Sequence, residues 1–133
     1  MMRRDDGRIG VFFAIIAPAW FVVIGLVVVG GNRITALQRA DNIAAEAARA
    51  AGQEIDAPTA IVGGEKRVDP VAAANAAAAY ITAAGATPRS IAVSDDRQRL
   101  SITVQVTYDP GPFSIFGGTW TAEGNATVAL VAT

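Results

Sequence analysis

One stretch of the chain, residues 9–32, carries no charged residue and lies between Arg8 and Arg33. As an α-helix it would reach about 36 Å, which is enough to cross the roughly 30 Å hydrocarbon layer of a bilayer with some tilt. A buried core helix is the alternative, but such helices seldom stay apolar on every face over this length. The pattern therefore predicts a transmembrane helix over residues 9–32.

A cleaved secretory signal is a closer alternative, because Arg3 and Arg4 give the chain a basic start. However, the apolar run is about twice as long as the usual 7–15-residue core of such a signal, and no clean Ala-x-Ala cleavage site follows it. Pro18 interrupts the run, and membrane helices tolerate proline where neighbouring groups satisfy the freed carbonyl. The sequence thus favours a retained span.

The flanking cations predict the orientation of this span. Three arginines precede it within residues 1–8, whereas Arg33 and Arg39 follow it. The flank that is richer in Lys and Arg usually stays in the cytoplasm. We therefore expect residues 1–8 to be a cytoplasmic basic N-terminus and residues 33–133 to be extracytoplasmic.

Helix-forming residues continue after the span. Residues 33–52 contain no proline and are rich in alanine, and Gly52 is suited to a C-cap. We therefore expect a helical stalk over residues 33–52. Its apolar stripe either covers the chain's own domain or packs against neighbouring subunits, because alanine serves both purposes. The positions of the stripe are Ile34, Leu37, Ala40 or Asp41, Ala44, Ala47 or Ala48, and Ala51.

A loop and a second helix follow the stalk. Proline, paired glycines and several charges mark residues 53–69 as a surface loop. Asp69 and Pro70 are then suited to the N-cap and first position of a helix over residues 70–84, which Gly85 closes. The shared face of this helix is formed by Val71, Ala74 or Asn75, Ala78 and Ile81.

The rest of the chain alternates with the period of two that is typical of strands. A short strand containing Ile91 and Val93, a polar turn at residues 95–98 and two longer strands predict a three-stranded antiparallel meander. The inward positions of the longer strands are Leu100, Ile102, Val104, Val106, Tyr108, Trp120, Ala122, Ala126, Val128 and Leu130. With helix 70–84 available to cover this face, we predict the α+β class, with a small extracytoplasmic domain over residues 53–133.

The connection between the last two strands, residues 109–118, is too apolar for a plain turn. Two prolines stop the strand, and Phe113, Ile115 and Phe116 then follow close together. These side chains either lie as a plug under the sheet or form an exposed apolar tip that contacts membrane or a partner.

Composition limits the chemistry of the chain. The sequence has no Cys and no His, which excludes disulfides, zinc sites of the usual kind and Cys- or Ser-His nucleophile pairs. The net charge of -1 argues against a nucleic-acid partner. The carboxylate pair Asp95-Asp96 lies in a turn, and no catalytic motif surrounds Lys66, the only lysine. We therefore expect no enzymatic activity, no cofactor and no metal site.

Several positions within residues 3–52 share a register with a known family. They are Gly7 after basic residues, Phe13-Ala14, Pro18, Gly30-Gly31-Asn32-Arg33 and the helical Gln38-Arg39-Ala40-Asp41. In this register the chain resembles the TadE/TadG-like proteins, the membrane components of tight-adherence (Flp, type IVb-like) pilus assembly. The resemblance implies a single-pass, pilin-like subunit.

The resemblance also marks a candidate processing site. In TadE-type members a prepilin peptidase cuts after a glycine that corresponds to Gly7, and a glutamate stands five residues later. Phe12 occupies that place here, as in the TadG-type pattern, where the residue is apolar. A carboxylate there would pair with the new N-terminal amine of a neighbouring subunit, whereas phenylalanine cannot form that pair.

The sequence thus predicts a non-enzymatic, membrane-anchored subunit of a Tad/Flp-type pilus or secretion machinery, such as a minor pseudopilin. Its partners would be membrane lipid and other pilus-assembly or pilin subunits, in an oligomer or hetero-complex. The candidate helix-packing positions are Phe12, Phe13, Pro18, Gly25, Gly30, Gly31, Ala44 and Ala48. The alternative is a membrane-tethered extracytoplasmic binding or sensory module for a small ligand or envelope polymer, which an apolar pocket in the sheet domain would favour.

Overall fold

Two helices precede three strands along the chain. The computed structural model describes residues 6–54, 61–63 and 68–130. The elements are α1 (Asp6–Gly52), α2 (Pro70–Ala83), β1 (Thr87–Val93), β2 (Arg99–Tyr108), a 3-10 helix (Gly111–Phe116) and β3 (Trp120–Ala129). Arg3, Arg4 and much of the predicted loop 53–69, with Lys66, lie outside the described residues. The predicted α+β class is confirmed.

Helix α1 is continuous over 47 residues and is the largest element of the fold. At 1.5 Å per residue it is about 70 Å long. It passes through Pro18 without interruption and ends at Gly52, because residues 33–52 hold no further proline and are rich in the strongest helix former, alanine. The predicted extension of the apolar helix into an Ala-rich helix is confirmed.

Helix α2 begins at the predicted cap. The Asp69 carboxylate accepts hydrogen bonds from the backbone N–H of Val71, at 2.9 Å, and of Ala72, at 3.4 Å. These bonds satisfy N–H groups that have no partner within the helix. At the other end Gly85 has a φ of 77°, in the left-handed region that favours glycine.

The buried face of α2 differs from the predicted one. Ala73, Ala77 and Ile81 are fully buried, whereas Val71 is 69% exposed. Ile81 was predicted correctly, but the rest of the face is rotated about the helix axis. Alanine surrounds most of this helix, so the hydrophobic pattern alone did not determine which alanines face the core.

The three strands pair in the order β1-β2-β3, and both pairs are antiparallel. In the second pair Val104 lies opposite Gly124 and Tyr108 lies opposite Trp120. Strand β2 alternates between buried and more exposed residues from Leu100 onward. The predicted meander and its inward face are therefore confirmed.

Helix α1 provides most of the cover for the apolar face of the sheet, with α2 beside it. It contacts β3 and β2, while α2 contacts α1, β1 and β2. The predicted packing of helix 70–84 on the sheet is thus confirmed, and α1 adds the larger share of the cover. Residues 33–52 are part of the domain core, and not a stalk separate from it. The buried side chains of α1 in this region are Ala36, Ala40, Ile43, Ala44, Ala47, Ala48 and Ala51.

The buried stripe of α1 lies on a different face of the helix from the one that the sequence indicated at Ile34 and Leu37. Ile34 and Leu37 are 59% and 40% exposed, whereas Ala36 and Ala40 are buried. The face of α1 that contacts the sheet carries mostly small side chains, because larger ones would hold the helix away from the strands. The prediction that Ile34 and Leu37 belong to the stripe is therefore wrong.

Candidate interaction surfaces

The N-terminal part of α1 projects from the domain with its apolar side chains uncovered. Ile9, Phe21 and Leu26 are 54%, 58% and 71% exposed, and most other large apolar residues of this part are also exposed, whereas Val29 is buried. Among the described residues, α1 is the single helix that is long and apolar enough to cross a membrane. Water alone is a costly environment for so large an apolar surface.

The candidate packing residues of this segment lie on that uncovered surface, except Gly25, which is buried. Phe12 and Phe13 are 60% and 63% exposed, and their rings meet edge to face with centroids 6.3 Å apart. A Cβ added to Gly7, Gly30 or Gly31 would meet no atom within 4 Å. The backbone of α1 is therefore open to close approach by another helix at these three glycines.

A shallow apolar hollow follows one face of the segment. It has a volume of about 230 Å³ and is lined by Ile16, Ala19, Trp20 and Val23. Pro18 stands next to it in the helix, and Trp20 is 64% exposed. The spacing of the lining residues is that of one helix face, so the hollow suits a side chain from a second helix or a lipid chain.

The alanine stripe is used within the chain. Ala44 is fully buried and Ala48 is 7% exposed, both in the core formed with the sheet and α2. Of the two readings of the stripe, the structure corresponds to the one in which it covers its own domain. Ala44 and Ala48 thus serve as helix-packing residues inside the subunit.

Close backbone packing joins α1 to the centre of the sheet. A Cβ added to Gly124 of β3 would overlap backbone atoms of Ala40 and Asp41 in α1. Glycine inside a strand commonly marks such an approach. Arg39, the residue before Ala40 in α1, contacts the end of α2. Its side chain donates a hydrogen bond of 3.3 Å to the carbonyl of Ala84, and a cation is favourable at the C-terminal end of a helix. Gly124 and Arg39 are packing residues that the sequence patterns did not identify.

Arg33 and Trp120 meet at the end of the domain nearest the apolar segment. The Arg33 Cζ lies 4.4 Å from the centre of the Trp120 ring, in a cation–π arrangement. The indole Nε1 is buried and has no hydrogen-bond partner among the residues that the structure describes. The same ring limits the space beside Gly117, where a Cβ would lie 3.0 Å from a ring carbon. Trp120 was predicted as an inward residue, but its contact with Arg33 was not.

The apolar connection between β2 and β3 is only partly covered. Phe113 is half-buried, whereas Ile115 is 78% exposed in the 3-10 helix. The placement of the Phe116 side chain lies outside what the structure describes. The 3-10 helix contacts α1. Ile115 is therefore not a plug under the sheet. Its exposure agrees with the other alternative, an exposed apolar tip.

The Asp96 carboxylate of the β1–β2 turn has a structural role. Asp96 accepts hydrogen bonds from the Ser94 hydroxyl and from the backbone N–H of Gln98, the latter at 3.1 Å. These bonds, with that from Ser94 the largest cause, lower the pKa of the Asp96 carboxyl from its ordinary value. Among the described residues, no three acidic side chains gather as metal ligands would.

No protein-family model, no curated protein and no solved structure matches this chain.

Proposed function

We propose that this chain is a non-enzymatic, membrane-anchored subunit of a Tad/Flp-type pilus assembly or secretion machinery, acting as a minor pseudopilin. In this proposal residues 9–32 cross the membrane, residues 1–8 are cytoplasmic and the α+β domain is extracytoplasmic. The N-terminal helix contacts lipid and other pilin-like subunits.

One observation carries the proposal: α1 has two halves with different surroundings. Its C-terminal half is buried against the sheet through small residues such as Ala40 and Ala44. Its N-terminal half leaves Phe13, Trp20 and Leu26 more than 60% exposed. This arrangement suits a membrane-anchored subunit. One half of the helix is fixed to the folded domain, and the other half is free to contact a bilayer or neighbouring helices.

The resemblance of residues 3–52 to the TadE/TadG-like proteins makes the proposal specific. Gly7 lies in the first turn of α1 and is exposed, so a peptidase would reach it after local fraying of the helix end. Phe12 follows on the same apolar surface. An apolar residue at this position favours a minor, assembly-associated subunit over the bulk filament protein, because no carboxylate is present to pair with a neighbour's N-terminal amine.

The competing interpretation, a tethered module for a small ligand or envelope polymer, needs a site within the α+β domain. The apolar face of the sheet is occupied by α1 and α2, with Ile81, Ile102 and Val104 at most 1% exposed. This packing supports a contact role over an internal ligand site.

Photo-crosslinking in native membranes tests the proposal. Phe13 is replaced with benzoylphenylalanine, a change that keeps an aromatic ring on the exposed face of α1. Tyr80, which is 39% exposed on α2, is replaced in the same way as the matched control. We expect Phe13 adducts with other single-span, Ala-rich subunits, identified by mass spectrometry, and none of these from Tyr80. Adducts with lipid alone at Phe13, together with pili that are unchanged when the gene is deleted, would contradict the proposal.

The processing step is tested separately by the intact mass of the protein extracted from its own membrane. Loss of residues 1–7 is expected if prepilin peptidase cuts after Gly7. Retention of these residues removes the cleavage from the proposal but leaves the membrane-anchored subunit in place. A C-terminal reporter that is active only in the cytoplasm would reverse the proposed orientation.

A further inference from the structure

We infer that the 3-10 helix is a second membrane contact, which places Ile115 at the boundary between lipid headgroups and acyl chains beside the exit of α1. The inference rests on the proposed membrane span. It goes beyond the span because it assigns a lipid contact to the loop and so defines which end of the domain faces the membrane. The occupant is the lipid surface itself. The direction of the strands, the level of the loop along α1 and the composition of the loop favour this occupant.

The direction of the strands places the loop at one end of the domain. Strand β3 runs parallel to α1, since Trp120 meets Arg33, Gly124 meets Ala40 and, further on, Val128 meets Gly52. The 3-10 helix immediately precedes β3. It therefore lies at the end of the domain that faces the N-terminal, apolar half of α1.

The level of the loop along α1 follows from burial. Arg33 is the first charged residue after the apolar segment. One turn earlier, Val29 is 9% exposed, whereas Leu26 and Val27 are 71% and 66% exposed. Val29 and Ala36 are seven residues apart and so share the face that packs on the domain. Gly25, one further turn earlier, is also buried. The covered face of α1 thus extends into the uncharged segment, which places this end of the domain where the proposed span leaves the bilayer.

The composition of the loop suits that depth. Residues 110–122 carry no charge and lie between Asp109 and Glu123. Ile115 exposes 78% of its surface, which is unfavourable in water and favourable against acyl chains. Arg33, which is exposed, lies on α1 at this end of the domain, where its cation can reach the lipid phosphates.

Site-directed spin labelling tests the contact, because the chain has no native cysteine. Single variants Ile115→Cys, Val22→Cys and Asp95→Cys are labelled in the full chain and placed in nanodiscs of phosphatidylcholine and phosphatidylglycerol. Val22 marks the span and is 51% exposed. Asp95 is the matched exposed control in the β1–β2 turn, at the opposite end of β2 and about 30 Å away. Collisions with molecular oxygen, which concentrates in lipid, are compared with collisions with a water-soluble nickel chelate.

We expect the oxygen-to-nickel collision ratio at Ile115 to be severalfold higher than at Asp95 and lower than at Val22. A ratio at Ile115 equal to that at Asp95, with Val22 in lipid, would overturn the contact and leave the span intact. A label at Ile115 that is shielded from both reagents would also overturn it, since the side chain would then face protein. Exposure of Val22 to the chelate would instead remove the span, and the inference with it.

Discussion

Gly124, near the middle of β3, lies directly against the backbone of Ala40 in α1, with no room for a side chain between them. Both residues belong to the buried face where the helix crosses the sheet. The pair fixes how close α1 approaches the strands. Because α1 also carries the apolar segment, this contact holds the domain in a defined position relative to that segment.

The substitution Gly124→Ala is expected to destabilise the domain. The added Cβ would overlap the Ala40 carbonyl group and the Asp41 nitrogen, and backbone atoms cannot rotate away as a side chain would. Overpacking of this kind costs about 1–3 kcal/mol or more. Thermal unfolding in detergent micelles, followed by circular dichroism, should show a lower midpoint.

Thr121→Ala is the control for that substitution, because Thr121 lies on the exposed face of the same strand. Exposed substitutions of this kind change stability by about 0.5 kcal/mol or less. Equal midpoints for the two variants would show that α1 does not approach β3 as described.

The sequence predicted the elements well because their signals are local. The Asp69-Pro70 start of α2, the alternation of β2 and the continuity of α1 up to Gly52 each depend on residues a few positions apart. Period-two patterning also determines which face of β2 is inward, so the core residues Leu100 to Val106 were identified correctly.

The contacts between elements were harder to predict, for two physical reasons. Alanine occurs on several sides of α1 and α2, so hydrophobic periodicity does not distinguish one face from another. The contacts of Gly124 with Ala40 and of Arg33 with Trp120 join residues far apart in the chain, and no local pattern encodes them. The glycine inside a strand was the one available signal for the first contact.

The Asp96 carboxyl is expected to make stability depend on pH at the acidic end. Hydrogen bonds from Ser94 and Gln98 lower its pKa in the folded state, so the charged form is favoured by folding. Its contribution is present above the pKa of the unfolded chain, about 4, and is lost as the pH falls through the lower folded-state pKa. An NMR titration of the Asp96 carboxyl carbon should give a midpoint below that of Asp96 in the denatured chain. In Asp96→Asn this acid-dependent loss should be smaller than in the native sequence, and an unchanged pH profile would contradict the assignment.

Arg97 is expected to limit the stability of the same turn. Its φ of 54° lies in the left-handed region, which costs a non-glycine residue about 1–2 kcal/mol. Arg97→Gly removes this conformational cost. Glycine also makes the unfolded chain more flexible, which offsets part of the stabilisation. We therefore expect a thermal unfolding midpoint equal to or slightly above that of the native chain. Arg97→Val should lower the midpoint, since β-branched residues tolerate this conformation poorly. Equal midpoints for the glycine and valine variants would show that the turn adopts another conformation.

The alanine stripe gives a test that separates packing within the subunit from contact between subunits. Ala44 is fully buried in the chain's own core, whereas its neighbour Ala45 is exposed. Ala44→Leu should lower the stability of the isolated subunit by about 1–3 kcal/mol, and Ala45→Leu should leave it nearly unchanged. Unfolding midpoints of the two variants in micelles, with crosslinking from Phe13 measured in parallel, supply the comparison. If Ala44→Leu left the midpoint unchanged but abolished the crosslinks, the stripe would belong to a contact between subunits. A lower midpoint with crosslinks retained at low temperature would instead assign the stripe to the domain and leave the uncovered N-terminal half of α1 as the surface for partners.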